Sequence, residues 1–353
     1  MKSIELYKRN MISLLTTGRE ALQILDTFPE SHTRTLFVIE NDKMVGTITY
    51  GDIRRGLLKD REISDSVSYY MNKQFRSLRK DEIKPDVLAK YRAEEIWLLP
   101  VLNERNEIED IIDLKQIRTV IPTAVMLMAG GKGERLKPLT DTLPKPMLNV
   151  GGKPILEINI DRLIKFGIKT FYISVRHLSE KIMDYFADGS SKNITIKYIS
   201  EKEPLGTFGA CALIKDLGFD DLIVMNADIL TNIDFEDFYN FYKTNDALMC
   251  AASIPYNVRI PYGILQTDGK DFVTSLIEKP SYTYYANAGI YIVHRTLIKN
   301  IPPQKVYNAT DLMSRLIEQK QRLVHYPILQ YWLDVGKYED YIRAQQDYLH
   351  INF

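Results

Sequence analysis

Gly130, Gly131 and Gly133 follow the apolar run AVMLMA and lead into Arg135, Lys137 and Lys145. Glycines let a backbone approach a phosphate chain and turn several N–H groups toward it, and the cations add mobile positive charge. A dinucleotide fold also opens on a glycine-rich turn, but the spacing here is not G-x-G-x-x-G, and the Gly-Lys-Ser/Thr ending of a P-loop is missing. Lys145 stands between Pro144 and Pro146, whose rings restrict the backbone and help fix where that lysine points. Together they read as a loop able to hold a phosphate chain beside a lysine of restricted direction.

Asp228 follows LIVMN and should stand at a strand's C-terminal end, where open α/β sheets form their ligand crevice. An aspartate there is more often a turn or capping residue, and that plainer reading is kept for Asp221, Asp234 and Asp237. Lys132 and Lys137 read as a solvated loop face. The five histidines show no HxxH or HExxH spacing, and Cys211 and Cys250 sit in apolar stretches without metal-ligand spacing, so both cysteines read as small core residues.

The elements that must position these groups alternate from Pro122 onward. AVMLMA, TFYISV, ITIKYI and LIVMN read as strands, separated by helices at ILEINIDRLIKF, ending at Gly167, around EKIMDYF and around FGACALIKD. This alternation predicts an α/β domain with a mainly parallel sheet. ALMCAASI, YGILQT, DFVTSLIE and NAGIYIV read as strands without obligatory helices, hence antiparallel additions, and EDYIRAQQDYL as a closing amphipathic helix.

Before Pro122 a unit of helix, apolar strand, turn and second strand occurs twice. The first copy has Thr17 as N-cap of EALQILDTF, then TLFVIE, the turn Asn41-Asp42-Lys43, MVGTITY and the helix DIRRGLLKD; the second runs through DVLAKYRAEE, IWLLPVL, NERNE and IEDIIDL. RTVIPTA reads as the linker.

Taken together, GGKGERLKPLT and PKPML resemble the signature of sugar-1-phosphate nucleotidyltransferases. EKEPLGTFGA, NAD, EKP, NAGIY and WLDVGKYEDY extend the resemblance over residues 124–341. It implies a Rossmann-like, GT-A-like mixed sheet with helices on both faces. It further implies that a sugar-1-phosphate oxygen attacks the α-phosphorus of a nucleoside triphosphate while pyrophosphate leaves. By the same resemblance Gly130, Gly131 and Gly133 cradle phosphates, Arg135 steadies pyrophosphate, and Lys145 bridges the phosphates at the reacting centre. Lys279 neutralises the sugar phosphate, Glu278, Gly263 beside Tyr262, and Asn287 meet the sugar, and Asp228 with Asp334 holds Mg²⁺, which prefers carboxylate, phosphate and water oxygens. Glu201, Gly206 and Thr207 fall to the nucleotide. An ionised carboxylate accepts hydrogen bonds only, which suits the N1–H and N2–H₂ donors of guanine better than uracil or thymine. The exocyclic amine of cytosine and a solvated turn are the alternatives for Glu201. Glu134 stands where threonine is commoner in the broader family.

The repeated unit at 1–120, divided at about residue 62, resembles a tandem pair of α+β CBS domains, with VGTIT and Asp52 matching the part that holds an adenosine ribose in nucleotide-binding members. In the second copy Asp110 replaces the glycine and Gln116 the aspartate. An adenine or guanine nucleotide effector at one site is therefore expected, against a purely structural or dimerising pair. CBS pairs fused to this catalytic type, here 122–353, resemble the glucosamine-1-phosphate guanylyltransferases of bacterial legionaminic acid pathways. GTP and glucosamine-1-phosphate are thus the expected substrates. Mannose- or heptose-1-phosphate, uridylylation or cytidylylation, and a catalytically silent NDP-sugar sensor are the alternatives; a dinucleotide oxidoreductase is disfavoured by the glycine spacing.

The 353 residues carry 46 basic and 46 acidic side chains, so no net field favours nucleic acid or an anionic membrane. MKSIELYKRN has no apolar signal core and no apolar run is long enough to span a bilayer, so a cytoplasmic protein is expected; the resemblance to CBS pairs, which commonly associate, implies a homo-oligomer.

Overall fold

The computed structural model describes residues 6–29 and 33–351; the first five residues of the amino-terminal stretch and the last two of the chain lie outside them. The chain divides into two compact units, one of 1–121 with 164–167 and 190–194, the other of the remaining residues.

In the smaller unit β1 (Met11–Ser13), β2 (Leu36–Glu40) and β3 (Lys43–Ile48) form one sheet with α1 (Gly18–Asp26) and α2 (Tyr50–Leu57). Thr17 caps α1 in a reciprocal box with Glu20, and Asn41 and Asp42 take positive φ to close the β2–β3 hairpin. The second copy supplies α3 (Pro85–Ala93), β4 (Leu98–Leu102) and β5 (Ile108–Asp113). Phe37 and Met44 from the first copy pack with Leu98, Leu102 and Ile111 from the second, so each sheet covers the other's apolar face. The copies differ after their last strand: α2 follows β3, whereas a turn follows β5.

The larger unit contains β6 (Ala124–Met128), β7 (Asn149–Val150), β8 (Lys153–Pro154), α4 (Ile155–Lys165) up to Leu163, β9 (Thr170–Val175), α5 (Ser179–Phe186) and β10 (Thr195–Ser200). α6 (Gly206–Gly209), β11 (Asp221–Asn226), β12 (Ile229–Thr231), α7 (Phe235–Thr244), β13 (Met249–Arg259), β14 (Ile264–Thr267) and β15 (Val273–Ile277) follow. β16 (Ser281–His294), α8 (Arg295–Lys299), α9 (Ala309–Glu318), β17 (Leu323–Pro327), β18 (Trp332–Asp334) and α10 (Tyr338–Tyr348) complete it.

Seven strands form one sheet in the order β10-β9-β6-β11-β16-β13-β17. β10, β9, β6 and β11 are mutually parallel, β16 runs antiparallel to both its neighbours, and β17 is parallel to β13. The fold is mixed α/β with a parallel-rich sheet. Alternate residues of β6 and β11 separate to opposite faces: Ala124, Met126, Leu222 and Val224 join Leu312 and Leu316 of α9, while Val125, Leu127, Ile223 and Met225 are buried on the other. Both faces are therefore covered. Cys211 and Cys250 lie in this interior, and burial pushes both thiols up to about 12.

The helix expected around FGACALIKD is shorter than its apolar pattern implies. Only Gly206–Gly209 is α-helical and Ala210–Leu213 is a 3₁₀ turn, because two glycines lie within a four-residue helix and the segment packs against 305–307 rather than lying along a groove of its own.

Asp221 opens β11 and accepts hydrogen bonds from Tyr239 (2.7 Å), Tyr242 (2.8 Å) and Lys243 (2.9 Å), which ties α7 to the sheet. Burial, together with the Asp221 carboxylate, holds both phenols well above their ordinary pKa. Asp234 caps α7, and Asp237 accepts from Tyr326. Asp221→Ala should leave two buried hydroxyls without partners and cost about 2–4 kcal/mol. Scanning calorimetry should show a lowered transition, partly recovered in Asp221→Asn; an unchanged melt would mean that water replaces the carboxylate at no cost.

Candidate active site

The chain proceeds outward from β6 to β9 and β10, then returns to add β11 on the other side of β6. That reversal leaves a crevice at the C-terminal ends of β6 and β11. The glycine loop leaves β6 there, and Ala227 and Asp228 leave β11 there; the Ala227 N–H donates to Met128 O at 3.2 Å and holds the two exits together.

Gly133 has φ 65°, and a Cβ on it would stand 3.0 Å from both Lys145 Cβ and Thr140 Cγ2, so a side chain would meet both strain and crowding. Buried Thr140 donates to Gly133 O at 2.9 Å, anchoring the turn. Gly131 has no atom within 4 Å of where a Cβ would lie, which leaves the loop's outer side open to a ligand.

Lys145 begins a 3₁₀ turn capped by Pro144. Its ammonium bonds Asp228 Oδ2 and lies 3.6 Å from Asp334 Oδ1, with the lysine side chain only 11% exposed. The longer contact is Coulombic, beyond hydrogen-bond length. Asp334 reaches this place through β18, which pairs antiparallel with β12 so that Ile229 faces Asp334, and the Val335 N–H donates to Asp228 O at 3.1 Å. Burial raises the Asp334 pKa and the Asp228 charge raises it further, opposed by Lys145 and Arg135. Oδ1 of each aspartate is buried without a hydrogen-bond donor. Two carboxylates with unpartnered oxygens facing one cation fit the oxygen-rich donor set of a hard divalent ion.

At the other side of the loop, Glu201 is 9% exposed, and a Cβ on Gly130 would lie 3.1 Å from its Oε1. Ser174 Oγ donates to Oε1, and the Leu205 N–H donates to Oε2 at 2.9 Å. Arg176 Nε donates to Gly130 O at 3.2 Å. Ser174, Arg176 and Thr140 escaped the sequence reading. The available signal was Arg176, a cation just past the end of β9; Ser174 and Thr140 offered none.

Gly130, Gly131, Gly133, Arg135, Lys145, Glu201, Asp228 and Asp334 thus share one end of the sheet. Other expected site residues have different surroundings. Gly206 has φ 75°, and a Cβ on it would lie 2.5 Å from Asn308 Oδ1; Thr207 Oγ1 accepts from the Ala309 N–H at 2.7 Å. Both positions therefore have a packing reason at the start of α9. Gly263 lies against Glu278, which pairs with Lys279 at 3.9 Å, all on the exposed β14–β15 hairpin region. Asn287 accepts from the Gly289 N–H at 3.0 Å, and Trp332 Nε1 donates to Ala288 O at 2.9 Å, tying the NAG segment of β16 to the strand that bears Asp334. Asp52 belongs to the smaller unit. Its Oδ2 accepts from Thr49 N (2.8 Å) and Oγ1, and its Oδ1 pairs with Arg55, forming the N-terminal capping box of α2.

A glycine loop and two carboxylates at a strand-order reversal define a class of phosphate-handling α/β proteins. The sequence matches the Nucleotidyl transferase family over residues 124–351, and the chain belongs to that family. It is 31% identical over 227 residues to a mannose-1-phosphate guanylyltransferase of Mycobacterium tuberculosis, covering 63% of each chain. It is 29% identical to a UTP–glucose-1-phosphate uridylyltransferase of Synechocystis, covering 62% of this chain and 61% of the relative. The match thus spans less than two thirds of either relative's length. The crystal structure of HddC from Yersinia pseudotuberculosis superimposes with a TM-score of 0.51 at 28% identity, over 64% of this chain and 99% of that one. HddC has also been solved with GMP-PN. Among the described residues no helix is long and apolar enough to cross a membrane.

A raised carboxylate pKa in the folded state means that ionised Asp334 destabilises the fold; the penalty grows as pH rises through the folded pKa and vanishes below the ordinary value of 3.8. Asp334→Asn should therefore raise the melting temperature of metal-free protein at neutral pH, with the gain shrinking on acidification. A uniform loss of stability at every pH would instead make Asp334 a structural partner of Lys145 and Arg135.

Proposed function

We propose that the larger unit transfers a nucleotidyl group from a nucleoside triphosphate to a sugar-1-phosphate, releasing pyrophosphate. The observation that carries this reading is the Asp228–Lys145–Asp334 cluster beside a glycine loop at the sheet's switch point. An oxygen of the sugar phosphate attacks the α-phosphorus in line, a new P–O bond forms, and the bond to the β-phosphate oxygen breaks. No protein nucleophile is needed; the protein's task is to hold two polyanions together and offset the charge that builds between them.

In this reading N–H groups of 130–133 cradle the phosphates, Arg135 steadies pyrophosphate, and Lys145 neutralises the reacting centre. Lys279 meets the incoming sugar phosphate, with Glu278, Gly263 and Asn287 around the sugar. Asp228 and Asp334 hold Mg²⁺, which supplies Lewis-acid neutralisation of phosphate oxygens when bound. Gly206 and Thr207 shape the nucleotide side from behind through their grip on 307–309.

GTP is the favoured nucleotide. Glu201 beside Gly130 presents acceptors only, which fits the donor edge of guanine. The guanylyltransferase relative and the GMP-PN complex of HddC support the same choice. For the sugar we favour glucosamine-1-phosphate, on the arrangement of a CBS-like unit before this catalytic domain, as in legionaminic acid enzymes. A pyrophosphate-release matrix of GTP, CTP, UTP, dTTP and ATP against glucosamine-, mannose-, glucose- and heptose-1-phosphates, with Mg²⁺, should peak at GTP with glucosamine-1-phosphate. A peak at mannose-1-phosphate would retain the chemistry and replace the sugar; no release with any pair would point to a silent sensor.

The smaller unit, residues 1–120, is proposed as a CBS pair that binds an adenine or guanine nucleotide through Asp52 and adjusts activity. Its repeated helix–strand–turn–strand layout supports this. Asp52→Asn keeps one oxygen for the α2 cap while replacing the second acceptor, needed for a ribose hydroxyl, with a donor amide. Calorimetric titration of the full chain with AMP and ATP should find a site lost in Asp52→Asn. Unchanged binding would reduce Asp52 to a helix cap.

A further inference from the structure

Lys145 Nζ occupies the place between Asp228 and Asp334 where the proposed metal must also sit. We infer that Lys145 is a tethered stand-in for the divalent cation: it neutralises the two carboxylates when no metal is bound, and metal entry releases it toward the phosphates. This inference rests on the metal-site reading above.

Three observations carry it. The ammonium bonds Asp228 Oδ2 and stands 3.6 Å from Asp334 Oδ1, so it already contacts both carboxylates. Each aspartate keeps its Oδ1 buried without a hydrogen-bond donor, so one ammonium leaves acceptor capacity that a cation of higher coordination number would use. The Lys145 backbone is fixed by Pro144 and Pro146 and its Cβ lies against Gly133, while its four-carbon stem can rotate. The lysine is thereby anchored between the carboxylates and the phosphate loop, within its own reach of both.

Electrostatics gives the exchange its direction. A single ammonium cannot balance two carboxylates in a partly desolvated site, and Arg135 supplies only part of the remainder. A divalent ion supplies twice the charge, but it must compete with an ammonium held at high effective concentration by its own chain. Once displaced, Lys145 is a free cation beside Gly133 and finds its counter-charge in the nucleotide phosphates. One event then closes the metal site and arms the phosphate site, the reciprocal coupling expected when two ligands bias the same two-state side chain.

The test is Mn²⁺ binding to the full chain without nucleotide, read by the electron paramagnetic resonance of free Mn²⁺ and by calorimetry. Removing the competing charge in Lys145→Met should tighten Mn²⁺ binding about tenfold or more, because the carboxylates then meet the ion without a resident rival. Lys145→Arg, which keeps a cation, should stay near wild type, and Asp228→Asn should lose most binding. The Mn²⁺-induced rise in melting temperature should likewise be larger in Lys145→Met than in wild type. Equal or weaker Mn²⁺ binding in Lys145→Met, with Asp228→Asn still defective, overturns the stand-in role and leaves the metal site standing. No binding in wild type or Lys145→Met overturns both. Should Lys145→Met fail to fold, Lys145→Gln makes the same comparison with a neutral polar side chain.

Discussion

Asp228 and Asp334 are far apart in sequence, and bringing two carboxylates into one partly buried space is unfavourable unless something opposes their repulsion. The Lys145 ammonium does so, and much of the larger unit can be read as the means of keeping those three groups in register. The central ladder of β6 and β11 fixes Asp228 at a strand exit. The short β12–β18 ladder places Asp334 beside it, and two prolines with Gly133 fix the lysine's root. Leu230 and Leu333, buried in a cluster with Leu136, Leu148 and Val335, weld the ladder to the base of the loop. The charged cluster therefore depends on an apolar one immediately behind it. Electrostatic preorganisation of this kind is possible only where packing has already removed the freedom to relax.

The other groups follow from the sheet's reversal. Because the chain leaves β6 for β9 and returns to β11, the exits of three parallel strands face one crevice. β6 contributes the glycine loop, β11 the aspartate, and β9 contributes Ser174 and Arg176, which brace Glu201 and Gly130. Glu201 is thus both a structural brace and a wall of the crevice. Its carboxylate, held by Ser174 and the Leu205 N–H, has little freedom to turn, so the wall it forms is rigid.

How much of this was legible before folding depended on the range of the interaction involved. The glycine loop, the Pro-Lys-Pro clamp and the strand ending at Asn226 are local patterns, readable because period, turn chemistry and backbone restriction act over a few residues. The β12–β18 ladder was not readable from pattern. Each strand is three residues long, and pairing across so long a separation is decided by the burial of Leu230 and Leu333 rather than by any alternation in sequence. Asp334 was reached only through resemblance. The helix around FGACALIKD is present but short: its apolar run is genuine, but after Gly209 it tightens to a 3₁₀ turn that fills a gap in the core. Ser174 was invisible because a serine near the end of an apolar strand carries no signal until the β9–β10 pairing brings Glu201, just past β10, within reach of it.

The smaller unit shows how a motif can have two sufficient causes. GTITYGD has an aspartate where a ribose-binding residue is expected, yet Thr49 and Asp52 form a reciprocal capping box that closes the first turn of α2. In the second copy no helix follows β5, so a residue at the place of Gln116 has no first turn to cap. Gln116 instead donates to Tyr7 and to Asp113, a buried carboxylate that also accepts from the Tyr7 hydroxyl at 2.9 Å. The replacement of aspartate by glutamine thus follows from the local fold without reference to any ligand. A carboxylate whose two oxygens already serve Thr49 and Arg55 must share or surrender those bonds to hold a ribose. Ligand binding at Asp52 would therefore be coupled to the stability of the first turn of α2, and that coupling, rather than the motif alone, would make the site a sensor.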